Sequence, residues 1–133
     1  MSNLESILIL TDEELSSREA ALAIVAGIFG GWKVNIVNGN GFSGTDILAA
    51  DICFFGCVNP HPEGFSHFEK VIRHINLTLR RCGIFSCKSQ AAVDYLSVLV
   101  KDCGIKIETP TLVSTSASEI KIWANTIINN KVR

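Results

Sequence analysis

No stretch of this sequence is apolar for long enough to span a bilayer. The longest uncharged run lies between Glu19 and Lys33, short of the ~20 apolar residues a spanning helix needs. A charged leader followed by an apolar core and cleavage site is also missing, so no secretory signal is expected. Excess positive charge is absent: 12 Lys and Arg stand against 13 Asp and Glu, and only Arg80 and Arg81 are adjacent. That balance supplies no electrostatic footprint for nucleic acid or an anionic membrane. The five cysteines are an odd number and include no Cys-x-x-Cys pair, which points to reduced thiols in a cytoplasmic protein. Zinc-ligand spacing, a dinucleotide glycine fingerprint and a Ser-His-Asp order are all missing, so hydrolase and dehydrogenase readings have no support.

What is present is a core. The 133 residues are 47% apolar and 19% charged, enough for one domain, residues 1–133, to fold without metal or disulfide staples. Leu4–Leu10 reads as a first strand. The polar turn from Thr11 follows, with Ser16 as expected N-cap and Glu19 completing a capping box. The helix should continue through Phe29 and stop at Gly30-Gly31. Between Ala20 and Phe29 it carries no polar side chain. Leu22, Val25, Ile28 and Phe29 are expected to face the sheet, leaving a small-residue stripe of Ala20, Ala23 and Gly27 opposite. Either a neighbouring helix or a second copy of the chain would cover that stripe, making Ala20–Gly27 a candidate homodimer contact.

Lys33–Val37 is the second strand, and Asp51–Gly64 contains the third with its loop. Ser66 and Glu69 form a capping box ahead of a stripe running Phe65, Phe68, Ile72, Ile75, Leu79. Cys82–Cys87 is the fourth strand, Ser89 caps the helix after it, and Ile105–Ile107 is a fifth strand kept at an edge by Pro110. Ser116 and Glu119 open a last helix with Ile120, Trp123 and Ile127 inward. Strand and helix alternate five times. Right-handed crossovers then give an α/β three-layer sandwich with a five-stranded parallel sheet, and the count suits the order 2-1-3-4-5, whose switch point lies between strands one and three.

From Asp51 onward the chain resembles the flavodoxin family. Asp-Ile-Cys-Phe-Phe-Gly-Cys (51–57) resembles a flavodoxin third strand entering its first flavin-flanking loop, and Gly-Ile-Phe-Ser-Cys (83–87) the fourth strand. Ala-Ala-Val-Asp-Tyr-Leu (91–96), Lys-Asp-Cys-Gly-Ile-Lys-Ile (101–107) and Ile-Lys-Ile-Trp-Ala (120–124) resemble the fourth helix, fifth strand and final helix. The resemblance implies a flavodoxin-like fold, FMN as cofactor and electron transfer with a redox partner, an electron carrier rather than an enzyme. It further implies an FMN phosphate site at Thr11, Asp12, Ser16 and Ser17. The flavin ring would lie between Cys57, Val58, Asn59 and His61 on one side and Cys87, Lys88 and Ser89 on the other. The phosphate loop is degenerate: Leu15 stands where the family has a glycine, and Asp12, Glu13 and Glu14 repel a dianion. Neither flanking loop carries a Trp or Tyr.

The chain is also similar to response-regulator receivers, with Asp12 at the acidic end of the first strand and Ser86 at the switch position. Gly56, however, occupies the phosphoacceptor position, which removes the nucleophile. Cys57 and Cys87 close neighbouring strands at one edge, a geometry for a redox pair or for packing, and packing is the ordinary role of such cysteines. Two readings follow: an FMN-binding electron carrier, or a cofactor-free flavodoxin-like or pseudo-receiver module for protein–protein interaction or regulation.

Overall fold

Five consecutive buried residues, Ile52–Gly56, form β3, the central strand of a parallel sheet. The structure, a computed structural model, describes residues 5–129; Leu4, expected to open the first strand, lies outside them. Around β3 run β1 (Ser6–Thr11), β2 (Lys33–Asn38), β4 (Arg81–Ser86), β5 (Lys106–Ile107) and β6 (Leu112–Val113). The order is β2-β1-β3-β4-β5, the one that the strand count suits. The fifth position is filled in two pieces, because β6 also pairs in parallel with β4 beyond the chain segment holding Pro110. Proline has no N–H to give a ladder, so the edge strand is interrupted there.

The side-chain period of two splits the core between the sheet's faces. Leu8, Leu10, Cys53, Phe55 and Ile84 point to the face covered by α2 (Gly44–Leu48), α3 (Ser66–Ile72) and α4 (Gln90–Lys101). Ile7, Ile9, Phe54 and Phe85 point to the face covered by α1 (Leu15–Ala26) and α5 (Ala117–Asn129). Ile120, Trp123 and Ile127 are buried as their spacing predicts. Ser89 caps α4, its hydroxyl accepting from the Ala92 N–H at 3.2 Å.

The first helix departs from expectation. It starts at Leu15 with Glu14 at the N-cap and no side-chain cap, so Ser16 lies inside the helix instead of capping it. It ends at Gly27, whose N–H returns to the Ile24 carbonyl at 3.0 Å. Its buried face is the small one, Ser17, Ala20, Ala21, Ala23 and Ile24, while Leu22 is 58% and Phe29 69% exposed. Short side chains let α1 lie close to both the sheet and α5. A Cβ on Gly27 would come within 2.7 Å of the Lys121 carbonyl oxygen, and Asn125 Nδ2 donates to the Gly27 carbonyl at 2.7 Å. Of the two expected covers for the stripe, a neighbouring helix or a second copy, the structure places a neighbouring helix, α5 of the same chain, against Gly27.

The third helix is also shorter than its apolar spacing suggests. It follows a 3-10 turn at Glu63–Phe65, with Phe65 at the N-cap in place of a Ser66 capping box, and stops at Ile72. Leu79 is 95% exposed, in the left-handed region at φ 75°. Substitutions separate these faces. Gly27→Ala is expected to cost about 1–3 kcal/mol by forcing α1 off α5, whereas Leu22→Ser should stay within about 0.5 kcal/mol. Urea denaturation of the two variants checks both values.

Candidate functional site

Register builds the site. Thr11 at the end of β1 stands level with Asn38 of β2 and Gly56 of β3, so three loops leave the sheet side by side at the switch point. The Gly39 N–H donates to the Thr11 carbonyl at 3.0 Å. A Cβ on Gly39 would lie 2.3 Å from the Phe65 ring; glycine there lets the β2 loop rest on the 3-10 turn. Between these loops opens a cleft of about 700 Å³, lined by Asp12, Glu13, Glu14, Asn40, Asn59 and Glu63, among others.

The expected cofactor residues divide into two groups. Asp12, Asn59 and His61 line this cleft, with Thr11 in a smaller hollow beyond Asp12 that also holds Arg18. Ser16, Ser17, Cys57, Val58, Cys87, Lys88 and Ser89 do not line it. Several of them are bound to one another. Asp12 Oδ2 accepts from the Val58 N–H at 2.9 Å, Ser89 Oγ donates to the Val58 carbonyl at 3.4 Å, and Cys87 Sγ donates to the Ser16 carbonyl at 3.2 Å. The Lys88 and Ser89 N–H groups both donate to Ser86 Oγ, at 3.1 and 3.2 Å. The two loops that would flank a flavin ring are thus tied together and to the start of α1.

Loop sequences alone hide a further cluster. Tyr95, one turn into α4, donates to Glu69 Oε2 at 2.6 Å, and His61 Nδ1 lies 3.4 Å from the same oxygen. The His61 and Tyr95 rings are 4.5 Å apart, and His61 adopts φ 52° to reach this position. Burial and the Glu69 acceptor push the Tyr95 hydroxyl well above the usual tyrosine range. The aromatic side chain missing from both loops comes instead from a helix, and it is engaged by His61. A search of helix residues one turn past Ser89 would have found it.

These residues fit an FMN phosphate badly. The helix that would receive it has no side-chain cap, and Ser17 Oγ is buried without a hydrogen-bond partner, both favourable to an anion. Against this, Asp12, Glu13 and Glu14 surround the place, each repelling a dianion by about 1 kcal/mol when partly solvated. Asp12 Oδ1 is buried and also lacks a partner. Receiver chemistry fails on space as well as on sequence: a Cβ on Gly56 would come within 2.2 Å of the Phe85 ring.

The thiols behave as packing groups. All five cysteines are free and buried. Burial, with the Asp12 charge added, pushes the Cys57 thiol up to about 12 and raises Cys87; burial likewise raises Cys53 to about 12. A raised thiol stays protonated when folded, while the unfolded thiol ionises near roughly 8.5. Stability from these groups is therefore complete below that value and is lost as pH rises toward about 12, by roughly 1.4 kcal/mol per pH unit per thiol. Urea midpoints should fall between pH 8 and pH 10, and native Cys57 should resist alkylation at pH 8. Rapid labelling of Cys57 in the folded protein would contradict this account.

Comparison with known proteins agrees with this geometry at the level of fold. No family model and no curated protein matches the sequence. Among solved structures, oxidised flavodoxin 1 from Bacillus cereus is similar at TM-score 0.82 and 14% identity, over 96% of this chain and 99% of that one. A short-chain flavodoxin associated with a non-canonical PDU bacterial microcompartment gives 0.77 and 12%, over 94% and 97%. A mutant flavodoxin from Fusobacterium nucleatum, bound to flavin mononucleotide, gives 0.66 and 12%, over 98% and 96%. The strand order, the layers and these likenesses together give the chain a flavodoxin-like fold.

Proposed function

We propose that this chain is a cofactor-free flavodoxin-like module that acts by binding a regulatory partner at its switch-point edge. The observation that carries the reading is the Ser89–Val58 bond between the two flanking loops, with the Val58 N–H held in turn by Asp12 of the first loop. A flavin ring seated between Val58 and Ser89 would displace the Ser89 hydroxyl from the Val58 carbonyl. Its phosphate would also enter a field of three carboxylates. Partner binding needs no such rearrangement, and the edge offers an open cleft with polar groups from three loops. Gly27 of the α1 stripe packs on α5 of the same chain, which supports placing the contact at the switch-point edge.

FMN-dependent electron transfer is the second reading. It is favoured by the uncapped α1 N-terminus and the unpartnered Ser17 hydroxyl, and by the FMN-bound structural neighbour. Both readings meet one experiment. The purified protein is expected to be colourless, and titration into micromolar FMN should leave flavin fluorescence unchanged. A yellow protein, or saturable quenching at micromolar concentration, establishes FMN binding and overturns the cofactor-free reading.

A further inference from the structure

We infer that the outer edge of β2 pairs antiparallel with the same edge of a second copy, joining two sheets about a two-fold axis at Ile36. The inference goes beyond the switch-point reading and holds whether or not FMN binds. β2 stands last in the sheet order and runs six residues without a break. The Lys33 N–H donates to the Glu5 carbonyl at 2.9 Å and the Gly39 N–H to the Thr11 carbonyl at 3.0 Å. The odd-numbered residues of this stretch therefore turn their backbone groups toward β1. By alternation Val34, Ile36 and Asn38 turn theirs outward. The Asn38 carbonyl accepts from the Gly41 N–H at 3.1 Å, and the outward groups of Val34 and Ile36 meet no loop among the described residues.

Symmetry and charge both select a copy of this chain as the occupant. A two-fold axis normal to the sheet sets Ile36 opposite Ile36, Val34 opposite Asn38, and Asn35 opposite Val37. Every outward residue then has a partner, and Ile36 exchanges both backbone bonds with its copy. A shift of two residues either way leaves Val34 or Asn38 without one. Ile36 is 44% exposed in the middle of the strand, and its direct contact with the copy covers both side chains. Lys33 is the only charged residue of β2, and a lysine on an edge ordinarily deters pairing. In this register it comes level with Gly39 of the copy instead. Gly39 lines the switch-point cleft with Asp12, Glu13, Glu14 and Glu63, where no Lys or Arg is found among the described residues. The ideal Cβ position of Gly39 lies 2.9 Å from the Gly64 carbonyl oxygen, and that of Gly64 lies 3.8 Å from Glu13 Oε2. Pairing thus brings each lysine to the other copy's carboxylates and keeps the two lysines at opposite ends of the interface.

Sedimentation velocity of the full chain over about 1–100 µM tests this, since mass action makes a dimer concentration-dependent. A dimer is expected. Ile36→Lys sets like charges directly opposite at the axis and should leave a monomer. Lys33→Glu should weaken the dimer by roughly tenfold or more. Circular dichroism checks that each variant is folded. Should Ile36→Lys fail to fold, Lys33→Glu decides, because Lys33 is exposed. A short bis-maleimide should join Ile36→Cys to its copy but leave Val98→Cys, at an exposed position on α4, unjoined; the native cysteines are all buried. A monomer throughout, a species larger than a dimer, or a dimer unchanged in folded Ile36→Lys or Lys33→Glu overturns the inference. Cross-linking at Val98 as efficient as at Ile36 does so too.

Discussion

Two phenylalanines, each lying over a glycine of the neighbouring strand, hold the middle of this molecule. Phe54 of β3 stands level with Gly83 of β4, and Gly56 of β3 with Phe85 of β4. A Cβ on Gly83 would come within 2.9 Å of the Phe54 ring, and one on Gly56 within 2.2 Å of the Phe85 ring. Both rings meet the indole of Trp123 edge-on, at 5.6 and 6.0 Å between centroids. Aromatic side chains spread over glycine in this way recover the packing that glycine forgoes in a strand. The arrangement places α5 against the sheet, and α5 in turn receives α1 through Gly27. The position of the first loop, and so of its carboxylates, descends from that interlock.

Much of the fold was legible because it is written in short-range signals. A five-residue apolar run at Ile52–Gly56, glycines and prolines between periodic segments, and a serine cap at Ser89 each require only near neighbours. Where the reading failed, the missing information was non-local. From Ala20 onward helix α1 carries no polar side chain, so that part of its sequence carries no direction; the close approach of α5 at Gly27, from almost a hundred residues away, decides which face is inside. Leu79 extends an apolar spacing that the chain does not use, because the helix has already ended at Ile72.

The site was legible in place but not in connection. Asp51–Gly64 did deliver its loop to the switch point, and the acidic character of the first loop was plain. That Asp12 would tie β1 to the β3 loop through Val58, and that Tyr95 would receive His61, depends on contacts across the crevice. A carboxylate that looked like an obstacle to phosphate is also a strut between two strands. Its removal would bear on loop geometry as well as charge, which is why an isosteric amide is the informative replacement.

The divided fifth strand has a consequence for how copies of this protein meet. An edge built from two two-residue pieces, with proline between them, offers no continuous row of donors and acceptors to an incoming strand. The opposite edge is different. β2 runs unbroken for six residues, with a single charge at Lys33 and Ile36 partly exposed. Any growth of this sheet by strand addition, in a specific assembly or in aggregation, would start on the β2 side.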